Sequence, residues 1–239
     1  MAELKVSEES LHQSNLLKDK LTSIILHDIR SPLRFMNLVS NQLHNALSTS
    51  NNQPLTALTA ELKKSTDQLD AFTREFLVWL NAQQTGFRLR NEHVYLKEMF
   101  EEVAIFFRNI MNWNENTLEV GVSDDISMWT DKQLLRIILH NIIDNANKHT
   151  ENGMIRLSAY LESDDRLVIK VVDTGKGMRH SELQELQDRL EDERNAFVTD
   201  STGNLGYRIV RDFVNKLKGH ISVESVFNKG TTVTISFPI

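Results

Sequence analysis

Cysteine is absent from this chain of 239 residues, which excludes disulfide bonds and thiolate metal sites and fits a reducing compartment. The net charge is −6 and no basic block is present, so a nucleic-acid partner is not expected. No apolar run approaches the ~20 residues of a membrane span, and the N-terminus lacks a signal-peptide pattern. We therefore expect a cytoplasmic chain, or the cytoplasmic part of a longer, possibly membrane-anchored one.

Glycine is missing from the N-terminal third, since all nine glycines lie at or after Gly86. Apolar residues recur there at three- and four-residue steps over 17–47 and again over 55–80, which predicts two long amphipathic helices. The polar segment 48–54 separates them. One hairpin cannot bury both apolar stripes, so residues 1–82 are predicted to form a homodimer through a four-helix bundle.

The remainder of the chain mixes strand and helix patterns. Residues 83–91 are the predicted linker or hinge, and residues 92–239 are the predicted second domain. Asp131 is a predicted N-cap, and Asn228-Lys229-Gly230 is a predicted hairpin turn. The predicted strands are 88–94, 117–122, 126–129, 154–160, 167–172, 221–226 and 231–237, with helices over 96–110, 132–149 and 205–217. These elements predict an α+β fold in which helices cover one face of a mixed sheet.

The first candidate for chemistry is the segment HDIRSPL, residues 27–33. A neutral His27 imidazole is a competent nucleophile towards a phosphoryl group. Asp28 can fix its tautomer, and Ser31 lies one helical turn away. Pro32 removes a helix hydrogen bond at a cost of roughly 3 kcal/mol, which favours a functional bend over the alternative of an ordinary surface histidine.

The second candidate lies on the helix predicted over 132–149. Asn141, Asn145 and Lys148 share one face by their spacing. Amide oxygens suit Mg²⁺ and a lysine suits phosphate. A solvated polar face is the alternative interpretation.

The third candidate is the strand end DTGKGM, which begins at Asp173. A carboxylate there can accept a hydrogen bond from an exocyclic amine such as that of adenine. Gly175 and Gly177 would let the backbone approach a ligand closely. The alternative is a plain turn.

The fourth candidate, TGNLGYR over residues 202–208, opens a predicted helix. Glycines before a helix N-terminus favour phosphate binding by backbone amides. The charged segment 179–201 that precedes it has few apolar residues and is predicted to be a mobile lid over a nucleotide.

The four motifs in this order resemble those of sensor histidine kinases of two-component systems. HDIRSPL resembles the H-box, NIIDNANKHT the N-box, and DTGKGM and TGNLGYRIV the two glycine boxes. The ending GHISVESVFNKGTTVTISFPI is similar to the end of that family's catalytic domain. The likeness runs from about Leu17 to Ile239.

The resemblance implies a dimerisation and histidine-phosphotransfer hairpin followed by an ATP-binding domain of the Bergerat type. It implies that His27 is phosphorylated from Mg²⁺-ATP, with Asp28 as the activating acid and Ser31 beside them. The phosphoryl group would then pass to an aspartate of a response-regulator receiver domain, which would dock near Arg30 and Arg34. Whether the chain also has phosphatase activity is left open.

The resemblance also implies a nucleotide site. Asn145, with Asn141 beside it, would hold Mg²⁺, and Asp173 would bind the adenine amine. Arg208 is our own addition, from its place at a helix start. The expected nucleotide-binding set is Asn141, Asn145, Lys148, His149, Asp173, Gly175, Gly177, Gly203, Leu205, Gly206 and Arg208.

Two alternatives remain: one follows from departures from the sensor histidine kinase motifs, and the other from related ATPases. Thr202 and Asn204 stand where the family usually has glycine, and Phe197 is the only F-box candidate; both favour a non-catalytic dimeric scaffold. The related gyrase-type and Hsp90-type ATPases use a glutamate base on the N-box helix. The matching residue here is Asn141, which cannot take a proton, so hydrolysis is disfavoured.

Overall fold

The computed structural model describes residues 87–111, 115–163, 165–191 and 205–238, together with positions 35–36, 38–39, 42–43, 58, 62, 73, 75–76 and 78–83. The chain divides into two compact units, of which the first takes in residues 1–83 and the second begins at Gln84. Among the described helices, none combines the length and the apolar character needed to cross a bilayer.

The described positions of the first unit are helical from residue 35 to residue 82. Phe76, Trp79 and Ala82 are buried, and their three-residue spacing places them on one helical face. The rings of Phe76 and Trp79 stack with their centroids 5.9 Å apart. The helical structure predicted for residues 1–82 is confirmed at these positions.

The second unit follows the predicted order of strands and helices, with small shifts at the ends. The first strand begins at Asn91 rather than at 88. In chain order the elements are β1 (Asn91–Tyr95), α1 (Leu96–Met111), β2 (Thr117–Gly121), β3 (Ser127–Asp131), α2 (Lys132–Lys148), β4 (Met154–Ser163), β5 (Arg166–Asp173), α3 (His180–Glu191), α4 (Leu205–Lys216), β6 (His220–Val226) and β7 (Gly230–Pro238).

A mixed sheet of five strands, ordered β2-β4-β5-β7-β6, forms the centre of this unit. The pair β2–β4 is parallel and the other pairs are antiparallel. Alternate residues of the strands are buried, as a half-covered sheet requires. They include Ile155, Leu157, Leu167, Ile169, Val171, Val223, Val233, Ile235 and Phe237.

Helices α1 and α2 cover this buried side, since α1 packs on β2 and α2 packs on β4 and β5. Phe100 of α1 and Leu135 of α2 are fully buried there. Strands β1 and β3 form a separate antiparallel ribbon. The predicted α+β sandwich with helices on one face of a mixed sheet is therefore confirmed.

Helix α3 lies within the segment 179–201. Leu186 is buried, and Gln187 Nε2 donates to the Val223 carbonyl oxygen of β6 at 2.9 Å. The sequence did not predict this helix or its contacts with β6 over residues 180–191; the mobility of the segment stays a prediction. Residues 192–204 lie outside the described part of the chain.

Candidate functional site

Helix α2 begins where the sequence predicts. Asp131 Oδ1 accepts hydrogen bonds from the amides of Gln133 and Leu134, at 3.1 and 3.2 Å, which makes it the N-cap. Its other carboxylate oxygen accepts from the Arg90 amide at 2.8 Å. The helix start is thereby fixed to the ribbon strand β3 and to the end of the predicted linker.

The polar face of α2 lies against the first turn of α4. Asn141 Nδ2 donates to the Ile137 carbonyl oxygen at 2.9 Å, which fixes the orientation of the amide. A methyl group at Gly206 would lie 2.9 Å from Asn141 Oδ1 and 3.7 Å from Asn145 Nδ2. Glycine at position 206 therefore permits the two helices to approach at the amides that the sequence analysis selected.

Asp173 ends β5 and is buried, with 8% of its surface exposed. Its Oδ1 accepts from the amides of Gly175 at 2.9 Å and Thr231 at 3.2 Å. Burial raises the pKa of Asp173, and the two amide hydrogen bonds oppose that rise. One carboxylate oxygen is thus held by the backbone, and the other is available to a ligand in the adjoining cavity.

The glycines of the Asp173 loop allow its backbone to pack directly against neighbouring backbone segments. A methyl group at Gly175 would overlap the His149 carbonyl oxygen, and one at Gly177 would overlap the Val226 carbonyl oxygen. Gly177 also has φ +58°, a conformation that favours glycine. The Lys176 amide donates to the His149 carbonyl oxygen at 2.9 Å. The loop is therefore clamped between the end of α2 and the end of β6.

A small cavity opens between α2, α4 and the sheet. Its lining is mostly apolar, and Asp173 is the carboxylate within it. The lining residues are Ile142, Asn145, Ala146, His149, Val171, Asp173, Met178, Tyr207, Thr231 and Val233. Apolar walls around one fixed carboxylate suit a flat heteroaromatic ring that carries an amine, such as adenine.

The basic residues of the predicted site differ in whether they line the cavity. His149 lines the cavity, and burial together with the charges of Lys176 and Lys148 lowers its pKa, so it is neutral near pH 7. Lys148 pairs with Asp144 at 2.5 Å one helical turn away and lies outside the cavity lining. Arg208 also lies outside the lining, and burial lowers its pKa.

Several predicted residues lie outside the described part of the chain. They are His27, Asp28, Ser31 and Gly203. Leu205 begins α4, but its side chain is likewise outside the description.

Most of the cavity wall was not predicted from the sequence. Thr231, Tyr207 and Met178 have no residue type or spacing that marks a ligand site. Thr231 follows the predicted Asn228-Lys229-Gly230 turn, and Gly230 has φ +121°. That turn joins β6 to β7, whereas the register pair Asp173↔Thr231 lies between β5 and β7, so no local pattern signalled Thr231.

Comparisons with known proteins identify similar sequences and folds. Residues 130–239 match the family model of the histidine kinase-, DNA gyrase B- and HSP90-like ATPases. Adaptive-response sensory kinase SasA of Crocosphaera subtropica is 26% identical over 245 residues, which cover 99% of this chain and 63% of SasA. The chain thus spans less than two thirds of that relative. The expected resemblance to sensor histidine kinases is confirmed.

Two solved structures share the fold. Acinetobacter baumannii histidine kinase AdeS aligns over 89% of this chain and 97% of its own, with a TM-score of 0.64 at 19% identity. Histidine kinase ThkA in complex with response regulator protein TrrA aligns over 98% of this chain and 66% of its own, with a TM-score of 0.63 at 17% identity. At these identities the comparison establishes the fold alone.

Proposed function

We propose that this chain, whose residues 130–239 belong to the histidine kinase-, DNA gyrase B- and HSP90-like ATPase family, is the core of a sensor histidine kinase. In this proposal its second unit binds ATP and the γ-phosphoryl group is transferred to His27. The observation that carries the proposal is the Asp173 carboxylate, which is held by two backbone amides at the wall of an apolar cavity.

Recognition of the base follows from the charge on Asp173. The carboxylate is an acceptor only, so the second oxygen selects a ring that presents an N–H donor. Adenine has such an exocyclic amine. Ile142 of α2 and Val171 of β5 line the cavity and would pack against the ring. A base that presents a carbonyl oxygen at the same place would meet repulsion from the carboxylate.

The phosphates would lie towards the amide face of α2. Asn141 and Asn145 supply side-chain oxygens of the kind that Mg²⁺ accepts as ligands, and these amides would hold the ion. Bound Mg²⁺ would offset negative charge on the phosphates. His149 contributes hydrogen bonding without charge, since its pKa is lowered. Lys148 and Arg208 are proposed to approach the phosphates when nucleotide is bound.

The transfer step uses the H-box. A lone pair on one nitrogen of the neutral His27 imidazole attacks the γ-phosphorus, the bond to the bridging oxygen breaks, and ADP leaves with that electron pair. Asp28 accepts a hydrogen bond from the other ring nitrogen and stabilises the positive charge that develops there. Ser31 lies one turn away on the predicted helix. Asn141 has no proton-accepting group for activating water, which favours transfer over hydrolysis.

Two partners belong to the proposal. The first is a second copy of the chain: Phe35 is 39% and Leu38 51% exposed on the described helical positions of the first unit, and a four-helix bundle would cover such residues. The second is a response-regulator receiver domain, whose aspartate would take the phosphoryl group from His27. Arg30 and Arg34 are the proposed docking cations. ThkA, solved together with TrrA, has a similar fold.

The decisive experiment incubates the chain with γ-labelled ATP and Mg²⁺. We expect an acid-labile, alkali-stable label that is lost in His27→Gln, while this variant still binds a fluorescent ATP analogue. The matched variant Asp173→Asn should lose both label and binding. If the wild type binds the analogue but takes up no label, the chain is a nucleotide-binding scaffold. Label that persists in His27→Gln would place the acceptor elsewhere.

A further inference from the structure

A buried pair of amides, which the proposed function does not use, joins the C-terminal end of α2 to the segment before β2. Asn116 is 5% and Asn147 3% exposed. Asn116 Nδ2 donates to Asn147 Oδ1 at 2.9 Å, although the two residues are separated by 31 positions in the chain. Buried amides lower stability unless they are hydrogen-bonded, so a pair of this kind calls for an explanation.

Asn116 connects three parts of the molecule through its side chain and its backbone amide. Its Nδ2 also donates to the Thr150 carbonyl oxygen at 2.8 Å, and its Oδ1 accepts from the Gly153 amide at 3.0 Å. The backbone amide of Asn116 donates to the Met111 carbonyl oxygen at the end of α1, at 3.1 Å. The side-chain amide thereby holds both ends of the turn 149–153, which joins α2 to β4.

This turn is in direct contact with the Asp173 loop. The His149 carbonyl oxygen accepts from the Lys176 amide at 2.9 Å, and Gly175 approaches the same oxygen so closely that no side chain fits. Beside it, the Thr174 amide donates to the Met154 carbonyl oxygen at 3.0 Å, and Thr174 Oγ1 accepts from the Met154 amide at 2.9 Å. A displacement of the turn would therefore move the loop that carries the carboxylate.

We propose that Asn116, together with Asn147, is a positioning residue for the nucleotide cavity: its amide sets the turn 149–153, and the turn sets the Asp173 loop. The functional part of this inference rests on the proposed ATP site. The physical reason is that hydrogen bonds fix distance and direction, whereas apolar contacts fill the same volume with less directional restraint. Neither asparagine lines the cavity, so their effect on a ligand is transmitted through the turn.

The first test does not involve nucleotide. Amide hydrogen exchange of Lys176 is measured in the full chain for the wild type, Asn116→Ala and the milder Asn147→Ala, with Val103→Ala as a control that destabilises the buried face of α1. We expect Lys176 to lose protection by roughly tenfold or more in Asn116→Ala, and by less in Asn147→Ala, relative to each variant's global stability. In Val103→Ala its protection should fall only as far as global stability does. Equal loss in the control and in both asparagine variants would overturn the inference.

The second test measures the affinity of a fluorescent ATP analogue below the melting temperature of each variant. Asn116→Ala is expected to weaken binding by about tenfold and Val103→Ala by less than about twofold. Unchanged affinity in both asparagine variants would overturn the proposed role in nucleotide binding. If the wild type itself does not bind the analogue, the proposed function fails, and the Lys176 exchange still decides whether Asn116 positions the turn. Should Asn116→Ala not fold, Asn147→Ala decides both measurements.

Discussion

Gly206 and Asn141 lie so close together that a methyl group on the glycine would be 2.9 Å from the Asn141 side-chain oxygen. Asn141 cannot turn away without losing its hydrogen bond to the Ile137 carbonyl oxygen. The start of α4 and the polar face of α2 thus pack closely against each other beside the cavity.

Gly206→Ala should weaken nucleotide binding without unfolding the protein. The added methyl group must displace the Asn141 amide, which we expect to lower the affinity for an ATP analogue by about tenfold. Alanine favours the helix by up to about 1 kcal/mol relative to glycine. Because this gain opposes the cost of displacing Asn141, the free energy of unfolding should change little. Gly121→Ala is the matched control, because its methyl group would meet Ser158 Cβ at an ordinary 3.8 Å. Equal affinity in the two variants would contradict the prediction.

Asp173→Asn should separate ligand binding from stability. The amide oxygen of asparagine can still accept from Gly175 and Thr231, but its nitrogen would face the adenine amine, donor against donor. We expect affinity for an ATP analogue to fall about a hundredfold, equivalent to about 3 kcal/mol. Isothermal titration calorimetry measures this loss, and undiminished binding would exclude Asp173 as the adenine contact.

The same variant has a defined pH dependence. Burial raises the folded-state pKa of Asp173, so the folded protein holds this proton more tightly than the unfolded chain does. The stability gained from that proton is present at low pH and is lost as pH rises through the raised pKa. Asp173→Asn should therefore be at least as stable as the wild type at pH 7. As the pH is lowered, the free energy of unfolding of the wild type should rise relative to that of the variant. Urea unfolding at several pH values measures it; the opposite trend would contradict the assigned pKa direction.

Gly230→Ala should destabilise the fold rather than the ligand contact alone. Gly230 has φ +121°, and a methyl group there would overlap the Asp173 carbonyl oxygen. Because neither backbone can move without breaking the pairing of β5 and β7, we expect a loss of about 3 kcal/mol or more in the free energy of unfolding. Lys229→Ala in the same turn is the control and should lose less than about 0.5 kcal/mol. Similar unfolding curves for the two variants would show that the turn relaxes.

His140 should contribute to acid unfolding. Burial lowers its pKa to about 4, and its ring stacks on Phe106 with centroids 4.7 Å apart. His140 takes up a proton near pH 6.5 in the unfolded chain but only near pH 4 in the folded chain. The stability contributed by the neutral ring is therefore complete above about pH 6.5 and is lost as the pH falls from there to about 4. His140→Phe should remove a pH-dependent loss on the order of 3 kcal/mol. The His140 ring resonances, followed by NMR, should titrate well below pH 6; titration at the ordinary value would refute this.

The sequence by itself determined the local elements of the second unit. Apolar residues at helical or alternating spacing predicted the strands and most of the helices, since such patterns depend on neighbours within a turn or a pleat. Asp131 was identified as an N-cap for the same reason. Asp173, Asn141 and Asn145 were selected by residue type at the ends and faces of these elements. The structure places Asp173 and Asn145 in the cavity lining and Asn141 beside Gly206.

Tertiary structure alone decided what surrounds them. Thr231 reaches Asp173 across 58 positions and Asn116 reaches Asn147 across 31, because strand order places β5 beside β7 and β2 beside β4. No local pattern encodes such pairings, since they depend on which arrangement buries the apolar faces of the whole unit. The same holds for Gly175, Gly177 and Gly206: the sequence marked them as glycines near a ligand, and the packing of one backbone on another decided why glycine is needed.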